Sequence, residues 1–72
     1  MKEAYDARFT SEKAEAIIGN KFDMVLIATK RARELARGDA ALVPRNKDKD
    51  AVIAIREIEE GKIGIEYLKK IG

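Results

Sequence analysis

The chain is predicted to be all-α, a small bundle of three main helices. Two observations carry that reading. Apolar residues recur at spacings of three and four in three segments, the period of one helix face. Between the segments stand residues that start and stop helices: Thr10, Asn20 and Asp50 at the starts, Gly19, Gly38 and Gly61 at the ends. The helices are placed at about 10–18, 21–37 and 51–60, after an extended arm, 1–9, and before a short segment, 62–72. The whole is read as one domain, 1–72, with its helical core at 10–61.

The first helix opens at Thr10, whose hydroxyl can accept a bond from an unpaired amide. Glu12 suits the positive end of the helix dipole. Ala14, Ile17 and Ile18 form the inward stripe, and Gly19 leaves the helix.

Asn20 caps the second helix. Phe22, Val25, Leu26, Thr29, Ala32 and Ala36 share one face by helical spacing, and of these Phe22, Val25, Leu26 and Ala32 are read as core. Met24, Ile27 and Leu35 lie mostly off that face. The run Met24 to Ala28 is apolar throughout and covers every direction around a turn. A helix that is apolar on all sides is covered on all sides. A chain of 72 residues has little with which to supply that cover. The excess at Met24, Ile27 and Leu35 therefore points to docking on a larger partner. Lys30 and Glu34 stand at i, i+4 and are expected to pair.

Residues 38–50 form a connection. Pro44 biases Val43 away from helix, and Asn46 to Asp50 is polar and turn-forming. Leu42 and Val43 are apolar residues placed to pin this loop. Asp50 is expected to cap the third helix, where Val52, Ile55, Ile58 and Glu59 share a face with Ala51 and Ala54 beside it. Arg56 is expected to reach Glu59 and Glu60. Residues 62–72 read either as a short helix or as an extended arm, because Ile63 and Ile65 alternate and Gly64 interrupts. No internal repeat is visible.

Composition excludes several classes of function. The chain has 15 basic and 13 acidic residues, net +2, a mixed surface rather than a polycation. It has no Cys and no His. Disulfides, the usual zinc ligands and Ser/His or Cys/His catalysis are thereby ruled out. The glycines form no phosphate-cradling motif. Glu57, Glu59 and Glu60 read as a solvated helix face, since Glu prefers the surface. The chain is read as non-catalytic, without metal or cofactor. Small scaffolds lacking disulfide or metal staples depend on assembly or on well-packed helices. No apolar run approaches the roughly 20 residues of a membrane span. The start, Met1 to Asp6, lacks the pattern of a signal peptide. A cytoplasmic protein is expected.

Lys30, Arg31, Arg33 and Arg37 are the one basic cluster. It reads as a solvated helix back, as a stripe for acids on a protein partner, or as a DNA-contacting helix. The connection after Gly38 is too long for a helix-turn-helix. Three functions thus stand side by side: an assembly subunit, an independent DNA-binding module using Lys30 to Arg37, and a self-associating helical protein.

The stretch Ile18-Gly19-Asn20-Lys21-Phe22-Asp23-Met24-Val25-Leu26-Ile27-Ala28, followed by Lys30-Arg31-Ala32-Arg33, resembles the signature of the omega subunits of bacterial RNA polymerase. A second block keeps the same order: Leu42-Val43-Pro44, Asn46, Asp48-Lys49, then Val52 through Gly61. Thr10 fits the start of the family's first helix. The likeness spans residues 7–63. It implies a small helical non-catalytic subunit of DNA-directed RNA polymerase that binds the β′ subunit near its C-terminal tail. There it would aid β′ folding and the joining of β′ to β and two α subunits. DNA and RNA would be met only through the complex, and the catalytic Mg would be held by β′. Core and β′ contacts are expected from Phe22, Asp23, Met24, Val25, Ile27, Lys30, Arg31 and Arg33. Truncating Phe22, taken as buried, is expected to cost about 3–5 kcal/mol. The sixth common subunit of eukaryotic polymerases is similar in its core helices.

Some relatives bind the alarmone guanosine tetraphosphate at the junction with β′. The corresponding positions here are Ala7, Arg8, Phe9 and Arg56, and guanidinium suits phosphate. Met1 to Asp6 precede them, and the charge of Asp6 opposes an anion. The long acidic or Gln-rich tail of some relatives is not expected. With much apolar surface assigned to a partner, the free chain is expected to be loosely packed.

Overall fold

Four helices make up the described chain. The computed structural model describes residues 10–71, with side chains as far as Lys69. They run α1 Glu12–Ile18, α2 Lys21–Ala36, α3 Asp50–Glu59 and α4 Glu66–Ile71. No strand occurs among the described residues. The extended arm expected at 1–9 lies outside them.

The ends of α1 and α2 and the stop of α3 have local causes. Ser11, not Thr10, caps α1: its Oγ accepts the Ala14 amide at 3.1 Å. The cap oxygen bonds the third amide of the helix, so the expected start is one residue early. The Ser11 hydroxyl also donates to Glu59 Oε2 at 2.6 Å and ties α1 to α3. Replacing Ser11 with Ala is therefore expected to destabilise the chain by about 1 kcal/mol, read as a lower thermal midpoint.

Asn20 caps α2 as expected. Its Oδ1 accepts the Asp23 amide and its Nδ2 donates to Asp23 Oδ2, both at 2.8 Å. The far end closes around Gly38, at φ 107°. The Gly38 amide returns to Leu35 O and the Asp39 amide to Glu34 O. The same double closure ends α3 at Gly61, φ 74°, through Gly61 to Ile58 and Lys62 to Glu57. The conformation is left-handed, and glycine adopts it without the Cβ clash of other residues.

Asp50 does not cap α3 but is its first residue; Lys49 precedes it with no side-chain cap. The carboxylate still sits at the positive end of the dipole and takes Arg45 Nη2 at 2.9 Å. The turn before it places Asn46 and Lys47 at φ 50° and 64°, closed by the Asp48 amide on Arg45 O at 2.8 Å. Arg56 meets Asp48, 3.0 Å away, rather than the expected Glu59 and Glu60. The open reading of residues 62–72 resolves to a helix, α4.

α2 packs along α3, α1 leans on both, and α4 covers α2. Met24, Ile27 and Ala28 of α2 meet Ile53, Ala54 and Ile58 of α3 in the core, with Ala14, Val43, Ile63 and Tyr67 closing it. No residue of α3 is exposed. This helix, rather than α2, is the one covered on all sides.

The expected inward face of α2 is overturned at Phe22, although Val25 is buried and Ala32 packs against the core. Met24, Ile27 and Leu35 are buried, while Phe22 is 66% exposed and Ala36 also faces out. Leu26, Thr29 and Ala32 are half-buried; Val25 alone of that face is fully covered. Periodicity finds an apolar stripe but cannot choose between two on one helix. The chosen stripe carries Arg31, which scores against burial until its partner is seen. The premise for a loosely packed free chain falls with it, because the apolar excess is covered from within.

On α3 the expected face gains Ile53 and Glu57, and Val52 and Glu59 become half-buried. Glu57, read as solvated, is completely inaccessible.

Candidate docking surface

Glu57 is inside because Arg31 is. Arg31 Nε and Nη2 donate to the two carboxylate oxygens of Glu57, the latter at 3.1 Å. Arg31 Nη1 reaches Glu34 Oε1 at 3.2 Å, and Nη2 also donates to Ala40 O at 3.0 Å. Glu57 Oε2 accepts the Leu42 amide at 2.7 Å. A buried charge pair is tolerated when geometry is good and the remaining hydrogen-bonding groups are satisfied. Both conditions hold, and no buried side-chain polar atom among the described residues lacks a partner. Hydrogen bonds to Glu57, outweighing desolvation, hold the Arg31 guanidinium above its ordinary pKa, so it stays charged.

This pair reaches the surface through the loop it holds. By fixing Ala40 O and the Leu42 amide, it anchors residues 40–42 against α2 and α3. Val43 is then buried while Leu42 stands 51% exposed. The expectation that Leu42 and Val43 pin the loop holds for Val43 only.

Tyr67 completes the cluster. Its hydroxyl donates to Glu34 Oε1 at 2.7 Å and fastens α4 onto α2. Burial pushes its phenol above the usual value of 10.0, with the Glu34 bond adding to this. The protonated form is thus favoured in the fold. Its contribution is complete below about pH 10 and is lost as pH climbs through the folded pKa. Urea midpoints are expected to fall as pH rises from about 10 through the folded pKa, and less steeply for Tyr67→Phe. An equal slope in the two proteins would remove Tyr67 as the cause.

The outer stripe of α2 is what remains on the surface. Phe22, Leu26, Thr29 and Arg33 follow at i, i+4, i+7 and i+11, one face by helical spacing, and Arg37 continues it past the helix end. Phe22 and Arg33 are exposed; Leu26 and Thr29 are half-buried. The stripe is apolar at its start and basic at its end. Among the described residues, Leu42, Ile17 and Ile65 are the other large apolar side chains at least half exposed.

Of the residues expected to touch a partner, Phe22 and Arg33 reach the surface, with Asp23 and Lys30 partly so. Met24, Val25, Ile27 and Arg31 lie in the core. Arg56 is half-buried against Asp48. Ala7, Arg8 and Phe9 lie outside the described residues. Sequence reasoning already placed Arg33 and Arg37 in an outward basic stripe, whereas it took Leu26 as core and Glu57 as solvated. A single acid among Val52, Ile53, Ala54, Ile55 and Ile58 was the available sign.

No helix among the described residues is long and apolar enough to cross a membrane, and no group of side chains there is suited to a metal ion. The polar side chains that the fold gathers join helices and loops to each other. This is the build of a small helical scaffold subunit with an apolar-basic face. Residues 16–65 match the family described as RNA polymerase Rpb6. A DNA-directed RNA polymerase subunit omega of Aliivibrio fischeri is 54% identical over 63 residues, which are 86% of this chain and 70% of the relative. One from Vibrio cholerae serotype O1 is 55% identical over 58 residues, 79% of this chain and 64% of the relative. The chain belongs to the omega subunit family of DNA-directed RNA polymerase, within the wider Rpb6 family. It is thus an accessory, non-catalytic member of a transcription complex.

Proposed function

We propose that the chain docks on the β′ subunit of the polymerase and promotes β′ folding and core assembly. The observation that carries this is Phe22, two-thirds exposed on a chain that otherwise closes its own core. Large exposed aromatics continuous with other apolar residues mark interaction surfaces, and aromatics anchor interfaces. Phe22, Leu26 and Arg33 form the contact stripe, with Asp23 and Lys30 beside it. Met24, Val25, Ile27 and Arg31 act from beneath by holding α2 in place. The family resemblance supplies β′ as the partner.

Docking acts on β′ through linkage. A subunit that binds only folded β′ stabilises it by about 2.7 kcal/mol when present at a hundredfold excess over Kd. The basic cluster supports an independent DNA-binding role less well, because Arg31 is committed to the core and Lys30 is half-buried.

The test is refolding of denatured β′ with β and α, with and without this chain, scored as yield of active core. A higher yield with the chain supports the reading. Equal yields, with no retention of β′ on the immobilised chain, would end it.

A further inference from the structure

Arginine pairing divides the surface. The described residues include five arginines. Arg31 holds Glu57 and Glu34, Arg45 holds Asp50, and Arg56 holds Asp48. Arg33 and Arg37 have no carboxylate partner among the described residues, and both are exposed. Both lie on or at the end of the outer stripe of α2. At 1.5 Å per residue, Arg33 stands about 16 Å along the axis from Phe22, and Arg37 about 6 Å beyond. The unpaired charges are therefore continuous with the exposed apolar patch rather than scattered.

We infer that this stripe takes a protein segment with an apolar side chain against Phe22 and Leu26 and carboxylates against Arg33 and Arg37. The inference rests on the docking reading of the same face and specifies the chemistry of the docked segment. Two features favour acid-bearing protein over nucleic acid. The basic end is short, two arginines with Lys30 partly covered, whereas a phosphate backbone presents charge along its whole length. The other end is apolar and would face phosphates without compensation. Guanidinium pairs a carboxylate in bidentate fashion, which fixes register while Phe22 supplies burial. Charges at the rim of an interface act mainly on association rate and salt dependence. The two ends of the stripe thus make separable contributions.

The probe is polymerase core from the source cell, prepared without this chain and free of nucleic acid. Binding is measured at low and high salt for the wild type, Phe22→Ala, the double variant Arg33→Glu with Arg37→Glu, and the double variant with Lys at both positions. Circular dichroism checks that each variant is folded. The Glu double variant is expected to bind at least about tenfold more weakly at low salt, with the gap narrowing at high salt. The Lys variant should lose much less, and Phe22→Ala should lose equally at both salts. Wild-type binding with no loss in the Glu variant overturns the inference and leaves the docking reading intact. No wild-type binding at all overturns both. A loss that appears only when duplex DNA is added assigns the arginines to nucleic acid and also overturns the inference.

Discussion

Replacing Glu57 with Ala is expected to lower the stability of the chain by about 3–5 kcal/mol, the cost of stranding one member of a buried ion pair. Arg31 would remain charged and about 5% exposed, with Glu34 as its remaining acid. The Leu42 amide would lose its acceptor. Domains of this size hold roughly 0.05–0.15 kcal/mol per residue, so the change removes much of the total. Urea unfolding followed by helical circular dichroism reads the loss. Hydrogen exchange adds a local signature, faster exchange at Leu42 than at its neighbours. A second variant separates the charge from the packing. Arg31→Met with Glu57→Leu removes both charges together, and apolar replacement of a buried pair is often neutral or better. The double variant should recover most of the loss while the Leu42 amide still exchanges fast. If Glu57→Ala shifts stability by under about 1 kcal/mol, the buried pair does not anchor the fold.

Phe22→Ala should do the opposite. Surface substitutions away from special features usually change stability by no more than about 0.5 kcal/mol, so the melt of the free chain should hardly move. Affinity for β′ should fall by about 2 kcal/mol or more, roughly thirtyfold, as for an aromatic anchor at an interface. Met24→Ala is the control, because Met24 is completely buried. It should lose about 2–5 kcal/mol of stability. A stability loss at Phe22 and none at Met24 would restore the face first read from the sequence.

These two predictions lie where sequence and structure part. The three main helices and their order were legible, because spacing and the Asn20, Gly38 and Gly61 signals are local; the short fourth helix was not, because Gly64 interrupts its pattern. The basic cluster and the family signature were equally plain. The inward face of α2 was not. Phe22 and Met24 both belong to apolar stripes, and hydrophobicity favours the stripe with Phe22 and Leu26 over the one with Arg31. Glu57 failed for the matching reason: a lone acid on a helix is usually solvated, and nothing near it in the chain announces a cation 26 residues away.

By itself, then, the sequence determined an all-helical chain, its breaks, its lack of thiol and imidazole chemistry, and its family. Only the tertiary structure decided which side of α2 is core, which arginine is buried, and which two, among the described residues, stand exposed without a carboxylate. Caps and periods follow from interactions within a few residues, which any reader of the chain can pair. Burial of a charge depends on finding its counter-charge on another helix at hydrogen-bonding distance, and that pairing exists only once α2 and α3 are packed together.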